Sequence, residues 1–234
     1  MCSVSFKMLY TTLLVLAGSL LVTAAPIMTR RSANDLLVLR TLLLLEATTF
    51  FLNFITEFAD VLEQLETKFY TQALSQFQDA DFTNAGFSSS DIPLEQLVTI
   101  QNDEQTHSNA LQAAILDFGG TPITSCQFDF APVLQSVGTM INVARIVEDV
   151  GVGAYLGAAH LISDPVLLTT AASILTVEAR HQTVLNILSG TGTAIPSAFD
   201  IALRPEEVLA IVSPFFSGPC NLGVQRTVTS FVQR

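Results

Sequence analysis

The chain consists of long stretches with a helical spacing of apolar residues, separated by short polar segments, and this pattern predicts an all-α fold. From Asp35 to about Phe77 the sequence is apolar and lacks Gly and Pro, which predicts one long helix or two helices in series. Its first half, Leu36 to Phe54, is almost continuously apolar. Its second half, Phe58 to Phe77, is amphipathic, as expected of a helix with one buried face.

Turn residues divide the following sequence into three further helices. Asn84, Gly86 and a run of serines mark a loop from Asp79 to Pro93, and Gly119-Gly120 ends the helix that follows this loop. Ser163-Asp164-Pro165 supplies a cap and an N1 proline for the last long helix. The predicted helices run from Ser90 or Asp91 to about Phe118, from about Val133 to Ile162, and from Pro165 to about Leu188.

The connections and the tail complete the predicted topology. The connection Thr121 to Pro132 contains Cys126 and is long enough to cross a helix bundle. The tail from Thr191 contains turns and one short helix after Pro205. Four glycines lower the propensity of the third long helix, and their spacing predicts that another helix approaches closely. These are Gly138, Gly151, Gly153 and Gly157.

Two Glu-x-x-His pairs lie on separate predicted helices: Glu104 with His107, and Glu178 with His181. The i, i+3 spacing puts both side chains on one face of a helix, about one turn apart. A carboxylate and an imidazole placed in this way can share one divalent metal ion. Two such pairs are four of the six ligands of a di-metal four-helix bundle, which takes one further Glu from each of the other two helices.

The other two long helices each contain a glutamate seven residues before a tyrosine, Glu63 with Tyr70 and Glu148 with Tyr155. Residues seven apart lie on nearly the same face of a helix. The order along the chain is therefore Glu-x6-Tyr, Glu-x-x-His, Glu-x6-Tyr, Glu-x-x-His, an internal two-fold repeat. The predicted metal ligands are Glu63, Glu104, His107, Glu148, Glu178 and His181.

Four carboxylates and two imidazoles suit a pair of iron or manganese ions. Without metal, four buried glutamates would repel one another and take up protons. We expect Tyr70 and Tyr155 to orient the carboxylates through hydrogen bonds rather than to bind metal. Glu66, one turn after Glu63, is either a ligand in its place or a further orienting acid. His160 has no Glu three residues before it, and we expect a packed or surface histidine there.

The composition limits both the fold and the partners. Hydrophobic residues make up 50% of the 234 residues, so a large core is available and a disordered acidic tail is excluded. The formal net charge is -11 with ten Lys and Arg, and no basic stripe is present, so nucleic acid is not an expected partner. Metal ions are the predicted partners, and the oligomeric state stays open.

The N-terminus has the features of a secretory signal peptide. Lys7 precedes an apolar region, Met8 to Val22, and Ala24 and Ala25 offer small residues for cleavage. We expect residues 1–24 to be the signal peptide, with an uncleaved signal anchor as the alternative. The mature protein is then expected to be secreted, extracellular or in the cell wall, without a stable membrane span.

Cysteine usage agrees with secretion. Cys2 would leave with the signal peptide, which leaves Cys126 and Cys220. An even number of cysteines in an oxidising compartment predicts one disulfide bond. The alternative is two buried free thiols, because the sequence does not show their separation.

At these residues the chain resembles the ferritin-like superfamily. More closely, it resembles the fungal secreted ferritin-like family typified by the stress-response protein Rds1, which is related to plant desiccation-associated proteins. The resemblance covers roughly residues 58–220. It implies a ferritin-like four-helix bundle with a long crossover between its second and third helices (the B–C crossover), a C-terminal appendage and the di-metal site. Cys126 and Cys220 also fall where that family places cysteines. The matching segments are Leu62–Tyr70, Asp103–His107, Glu148–Ala159 and Ile174–His181.

One departure from this family concerns the start of the first helix. In the family a Leu-rich lead runs straight into the Leu-Glu-x-Leu-Glu segment, whereas here Ala47 to Val61 separates a similar lead from Leu62. This stretch is either an insertion or an error in the gene structure, and it keeps Glu46 as a further ligand candidate. The expected organisation is a signal peptide (1–24), an apolar N-terminal segment (25–57), the bundle (58–190) and a C-terminal extension (191–234).

Three functions agree with these features. The first is a secreted protein with a di-iron or di-manganese centre, linked to stress or oxidant handling. The second is a non-enzymatic stress or cell-surface protein with a structural or vestigial metal site. The third is a membrane-associated protein that uses Leu36 to Phe54. The fold alone does not choose an activity, because one bundle hosts oxidases, catalases, peroxidases and storage proteins.

Overall fold

The computed structural model describes residues 33–190, 192–220 and 222, and in this part of the chain the regular elements are helices. The predicted signal peptide, residues 1–24, lies outside the described residues, as does the end of the tail from residue 223. The chain divides into two compact units, Met1–Thr48 and Thr49–Arg234. All of the functional side chains described below belong to the second unit.

Four long helices form the bundle, which confirms the predicted all-α architecture. They are α1 (Ala33–Gln76), α3 (Asp91–Asp117), α4 (Val137–Ala159) and α5 (Pro165–Leu188). A short helix α2 (Asp79–Asn84) lies between α1 and α3, and α6 (Pro205–Val212) follows the bundle. Residues 118–136 connect α3 to α4 and form the long crossover between the second and third bundle helices.

The first predicted helix is one helix rather than two in series, and it passes through Ala47 to Val61 without interruption. Leu37, Val38 and Leu42, near its beginning, are exposed to solvent. The Glu46 side chain lies outside the described part of the structure. Within the residues that are described, no helix combines the length and apolar character that crossing a membrane requires.

One helix was not predicted, and both ends of another differ from the predicted ones. The segment from Asp79, predicted to be a loop, contains α2, because Asp81 accepts a hydrogen bond from the backbone of Gln78 (2.8 Å) and Phe82 is buried in the core. Helix α4 begins at Val137 instead of near Val133, because the Ser136 hydroxyl accepts a hydrogen bond from the Thr139 N–H (3.1 Å) and caps the helix. The same helix ends at Ala159 rather than Ile162.

The crossover not only connects α3 to α4 but also contributes side chains to the hydrophobic core. Phe130, from the crossover, is completely buried and packs edge-on against Phe69 of α1, with ring centroids 5.3 Å apart. Leu134, also from the crossover, and Met140 of α4 are buried in the same cluster. The crossover therefore fixes one side of α1 beside the site described below.

A disulfide bond joins Cys126 in the crossover to Cys220 in the tail, with Cα atoms 4.6 Å apart. This excludes the alternative of two free thiols. Two backbone hydrogen bonds lie beside it: Asp129 N–H donates to the Phe215 carbonyl (2.8 Å), and Ser217 N–H donates to the Gln127 carbonyl (2.9 Å). The tail is therefore fastened to the crossover by covalent and backbone contacts.

The close approach predicted at the glycines of α4 is made at Gly153 and Gly157 by a non-helical part of the tail, whereas Gly151 faces the Glu178 side chain of α5. The Leu203 N–H donates a hydrogen bond to the Gly153 carbonyl (2.8 Å). A Cβ atom at Gly157 would lie 1.9 Å from the Leu203 carbonyl oxygen, whereas one at Gly138 would have nothing within 4 Å. The absence of side chains at positions 153 and 157 thus admits the backbone around Leu203.

Candidate metal centre

The six predicted ligands lie together in the interior of the bundle. Each is at most 9% exposed, because the helical period brings it to the buried face of its helix. Helices α1 and α4 each contribute one glutamate, and α3 and α5 each contribute a glutamate and a histidine. The residues are Glu63 on α1, Glu104 and His107 on α3, Glu148 on α4, and Glu178 and His181 on α5.

The ligand atoms form two groups of four, and within each group the atoms lie within 4.8 Å of one another. Glu104 and Glu178 belong to both groups, which places them to bridge two ions. The remaining glutamates and histidines would each serve one ion. The first group is Glu63, Glu104, His107 and Glu178, and the second is Glu104, Glu148, Glu178 and His181.

Both histidines direct Nδ1 towards the carboxylates. His107 Nδ1 lies 3.2 Å from Glu63 Oε2 and 3.3 Å from Glu104 Oε2. His181 Nδ1 lies 2.8 Å from Glu104 Oε1 and 3.2 Å from Glu148 Oε2. Nδ1 is therefore the nitrogen of each ring that can bind a metal here.

The two tyrosines donate hydrogen bonds crosswise between α1 and α4. The Tyr70 hydroxyl donates to Glu148 Oε1 and the Tyr155 hydroxyl donates to Glu63 Oε1, both at 2.5 Å. Each tyrosine thus fixes the glutamate on the opposite helix rather than the one that precedes it in sequence. The second oxygen of each carboxylate remains directed towards a histidine.

Glu66 is a further buried glutamate beside these residues and is 2% exposed. It belongs to neither group of four, whereas Glu63 does. A Cβ atom at Gly151 would lie 2.7 Å from Glu178 Oε2 and 3.4 Å from Glu66 Oε1, so the glycine makes room for both carboxylates. His160 is exposed and belongs to neither group.

Burial and mutual repulsion change the proton affinity of the cluster. Burial, followed by the charge of Glu148, raises the pKa of Glu104 to about 8. Burial also raises the pKa of Glu66 and that of Glu178 well above the ordinary value, and neighbouring glutamates add to the shift. The glutamates are thus held in a site where their charges lack compensation.

The pKa values of the two histidines are raised as well, which favours the charged form of an imidazole. Burial by itself lowers the pKa of an imidazole, but the surrounding carboxylates outweigh it. They raise the pKa of His107 to about 12 and the pKa of His181 to about 11. Positive charge is therefore strongly favoured at the position of each Nδ1 atom.

The residues fit a pair of divalent ions. Both oxygens of Glu178 and Oε1 of Glu104 are buried and accept no hydrogen bond. His107 Nδ1 is 3.2 Å from Glu178 Oε1, and His181 Nδ1 is 2.8 Å from Glu104 Oε1, but neither contact has the direction of a hydrogen bond. If all five buried glutamates are ionised, three negative charges stay unpaired even when both rings are protonated, and otherwise the cluster must take up protons; without a cation either state costs several kcal/mol.

Two carboxylates that border the site are not among the predicted site residues. Asp103 Oδ2 lies 3.1 Å from His181 Nε2, and the Asp103 side chain is 43% exposed. Asp60 is completely buried and accepts hydrogen bonds from Ser108 Oγ (2.7 Å) and Gln64 Nε2 (2.8 Å). Neither has a signal in the sequence pattern, because the decisive partners, His181 and Ser108, lie on other helices.

The fold and the cluster together define a four-helix bundle protein with a buried carboxylate–histidine centre. The sequence model of the ferritin-like domain matches residues 54–191, which is more than half of the chain. The chain belongs to the ferritin-like domain family. No match to a curated protein was found.

Proposed function

We propose that this chain is a secreted protein that binds two iron or manganese ions and takes part in stress or oxidant handling. One observation carries the proposal: Glu104 and Glu178 belong to two overlapping ligand groups, and each group is completed by one further glutamate and one histidine. The buried carboxylate oxygens without hydrogen-bond donors support it, because a cation would satisfy them.

The ligand residues would have different roles in holding the two ions. Glu104 and Glu178 would contribute to holding both ions, and Glu63 and Glu148 would each contribute to one, while the tyrosines hold one oxygen of each of these two carboxylates. Bound iron or manganese would supply the reversible one-electron chemistry that reactions with oxygen and peroxide require.

Solvent approaches the centre from the side of the histidines. The side chains of His107 and His181 are 11% and 6% exposed, whereas those of Glu63, Glu104 and Glu178 are at most 1% exposed. Exposure this small favours small reactants such as oxygen, peroxide or the metal ions themselves. This supports oxidant handling over the modification of a large substrate.

Secretion and membership of the fungal stress-response branch are also part of the proposal. The bond between Cys126 and Cys220 supports an oxidising compartment. The order of Lys7, an apolar run and small residues supports export. The motifs shared with the stress-response family, above all the Asp103–His107 segment, support the branch.

Anaerobic titration with Fe(II) or Mn(II), followed by removal of unbound ions and metal analysis, tests the proposal. We expect close to two ions per chain in the wild type and in Glu95→Ala, because Glu95 is an exposed acid on α3 outside the centre. Glu104→Ala should lose most of the metal because Glu104 would bridge both ions. Wild-type protein that binds neither ion would overturn the proposal in favour of a vestigial site, and loaded protein inert towards oxygen and peroxide would leave a structural metal site.

A further inference from the structure

We propose that Asp103 orients His181 for metal binding and thereby makes the two metal positions unequal, with the tighter one at His181. This inference rests on the proposed metal function. It concerns Asp103, a residue outside both ligand groups, and the order in which the two positions fill.

The contacts of His181 use the two ring nitrogens for different purposes. Nδ1 faces the ligand carboxylates, 2.8 Å from Glu104 Oε1, and Nε2 lies 3.1 Å from Asp103 Oδ2 on the other side of the ring. A carboxylate that accepts from Nε2–H fixes the ring orientation and leaves the Nδ1 lone pair for a metal. Asp103 therefore holds His181 in the tautomer and direction that metal binding needs.

His107 lacks the corresponding partner. Among the described residues, its contacts with Glu63, Glu104 and Glu178 all use Nδ1. The internal repeat explains the difference, because the residue before Glu104 is Asp103, whereas the residue before Glu178 is Val177. A valine at this place offers no acceptor to a histidine ring.

The contact is buried on the side of His181 and half-exposed on the side of Asp103, whose side chain is 43% exposed. An ion pair between two exposed side chains contributes little. Here the imidazole is only 6% exposed, so Asp103 acts on a ring that is already confined by packing. Loss of such an outer partner typically lowers metal affinity by about 10- to 100-fold, and we expect the two positions to differ by a factor in this range.

Titration with Mn(II), followed by electron paramagnetic resonance and calorimetry, tests this inference in the full-length mature protein. The wild type should bind two ions in separate steps. Asp103→Ala should weaken the tighter step by about 10-fold or more and leave the weaker step unchanged. Asp103→Asn should retain part of the affinity, because the amide oxygen still accepts from Nε2–H. Glu95→Ala, an exposed acid on the same helix, should change neither step.

The converse variant gives His107 the carboxylate partner that His181 already has. Val177→Asp supplies the carboxylate that the repeat lacks, so it should strengthen the weaker step and leave the tighter one unchanged. Two equal steps in the wild type, or an unchanged tighter step in folded Asp103→Ala, would overturn the inference while the two-ion proposal stands. A wild type that binds no Mn(II) or Fe(II) would overturn both.

Discussion

Glu63 and Glu148 each divide their two oxygens between a tyrosine and a histidine. Tyr155 holds Oε1 of Glu63 from the opposite helix, and His107 lies 3.2 Å from Oε2. The crosswise hydrogen bonds mean that the direction of each carboxylate depends on the relative positions of α1 and α4. The geometry of the centre is therefore built into the packing of the bundle and not into single helices.

The first prediction concerns the uncompensated charge of Glu178. Glu178→Gln keeps the volume of the side chain but removes a carboxyl group that, without metal, must either keep an unsatisfied buried charge or take up a proton on folding. We expect the variant to lose metal and, in the presence of a chelator, to be more stable than the metal-free wild type by about 1 kcal/mol or more. Urea unfolding with and without chelator measures both effects. If the metal-free variant is less stable than the metal-free wild type, the claim that the carboxyl group of Glu178 destabilises the metal-free protein is wrong.

The second prediction concerns the space beside Glu178. A Cβ atom at Gly151 would meet Glu178 Oε2 at 2.7 Å, so Gly151→Ala must move the flexible end of that side chain. We expect the affinity for metal to fall by about 10-fold or more, with little change in the unfolding free energy. Gly138→Ala, on the same helix with nothing within 4 Å, is the matched control and should bind metal like the wild type.

The residues of the candidate site differ in how well the sequence could reveal them. Repeated spacing within single helices pointed to Glu63, Glu104 and the other four side chains that the structure brings together. Asp103 and Asp60 have no such spacing, because each contacts a residue on another helix. A contact between helices depends on their register, which local periodicity does not contain.

At the scale of the elements, caps and turn residues predicted the order of the helices but not every boundary. Asp164 accepts hydrogen bonds from the N–H groups of Val166 and Leu167, as the predicted cap of α5 requires. Helix α2 was missed because one buried side chain, Phe82, outweighs a local composition typical of loops. The glycines of α4 predicted a close approach, but the approaching segment lies far along the chain, around Leu203.

The third prediction tests this tail contact. A Cβ atom at Gly157 would lie 1.9 Å from the Leu203 carbonyl oxygen, so Gly157→Ala must displace backbone. We expect a loss of about 2–3 kcal/mol in the unfolding free energy. Gly138→Ala should instead be neutral or gain up to about 1 kcal/mol, because alanine has the higher helix propensity. Equal stability of the two variants, measured by thermal and urea unfolding, would show that the tail does not pack against α4 as described.

At the scale of the whole molecule, one covalent bond joins the tail to the crossover. Cys126 and Cys220 are 94 residues apart in sequence, and α4 and α5 lie within the closed loop. Closing a loop of this length restricts the unfolded chain much more than the folded one. The bond therefore stabilises the same part of the molecule that carries Glu148, Glu178 and His181.

The fourth prediction follows from this loop. The double variant Cys126→Ser/Cys220→Ser should keep its helical circular dichroism spectrum, because most other members of the core cluster that contains Cys220 lie on the long bundle helices. Its unfolding free energy should fall by up to about 4–5 kcal/mol, the value that chain entropy gives for a loop of this length. Peptide mapping without reductant is the direct check on the wild type, and recovery of both cysteines as free thiols would contradict the pairing.

The central claim, that the bundle holds two metal ions, is tested most directly by metal analysis of protein purified from its native host without chelators. Inductively coupled plasma mass spectrometry should find close to two iron or manganese ions per chain, as the two overlapping ligand groups require. Protein that contains no transition metal, and that takes up neither Fe(II) nor Mn(II) when these are supplied, would contradict the claim.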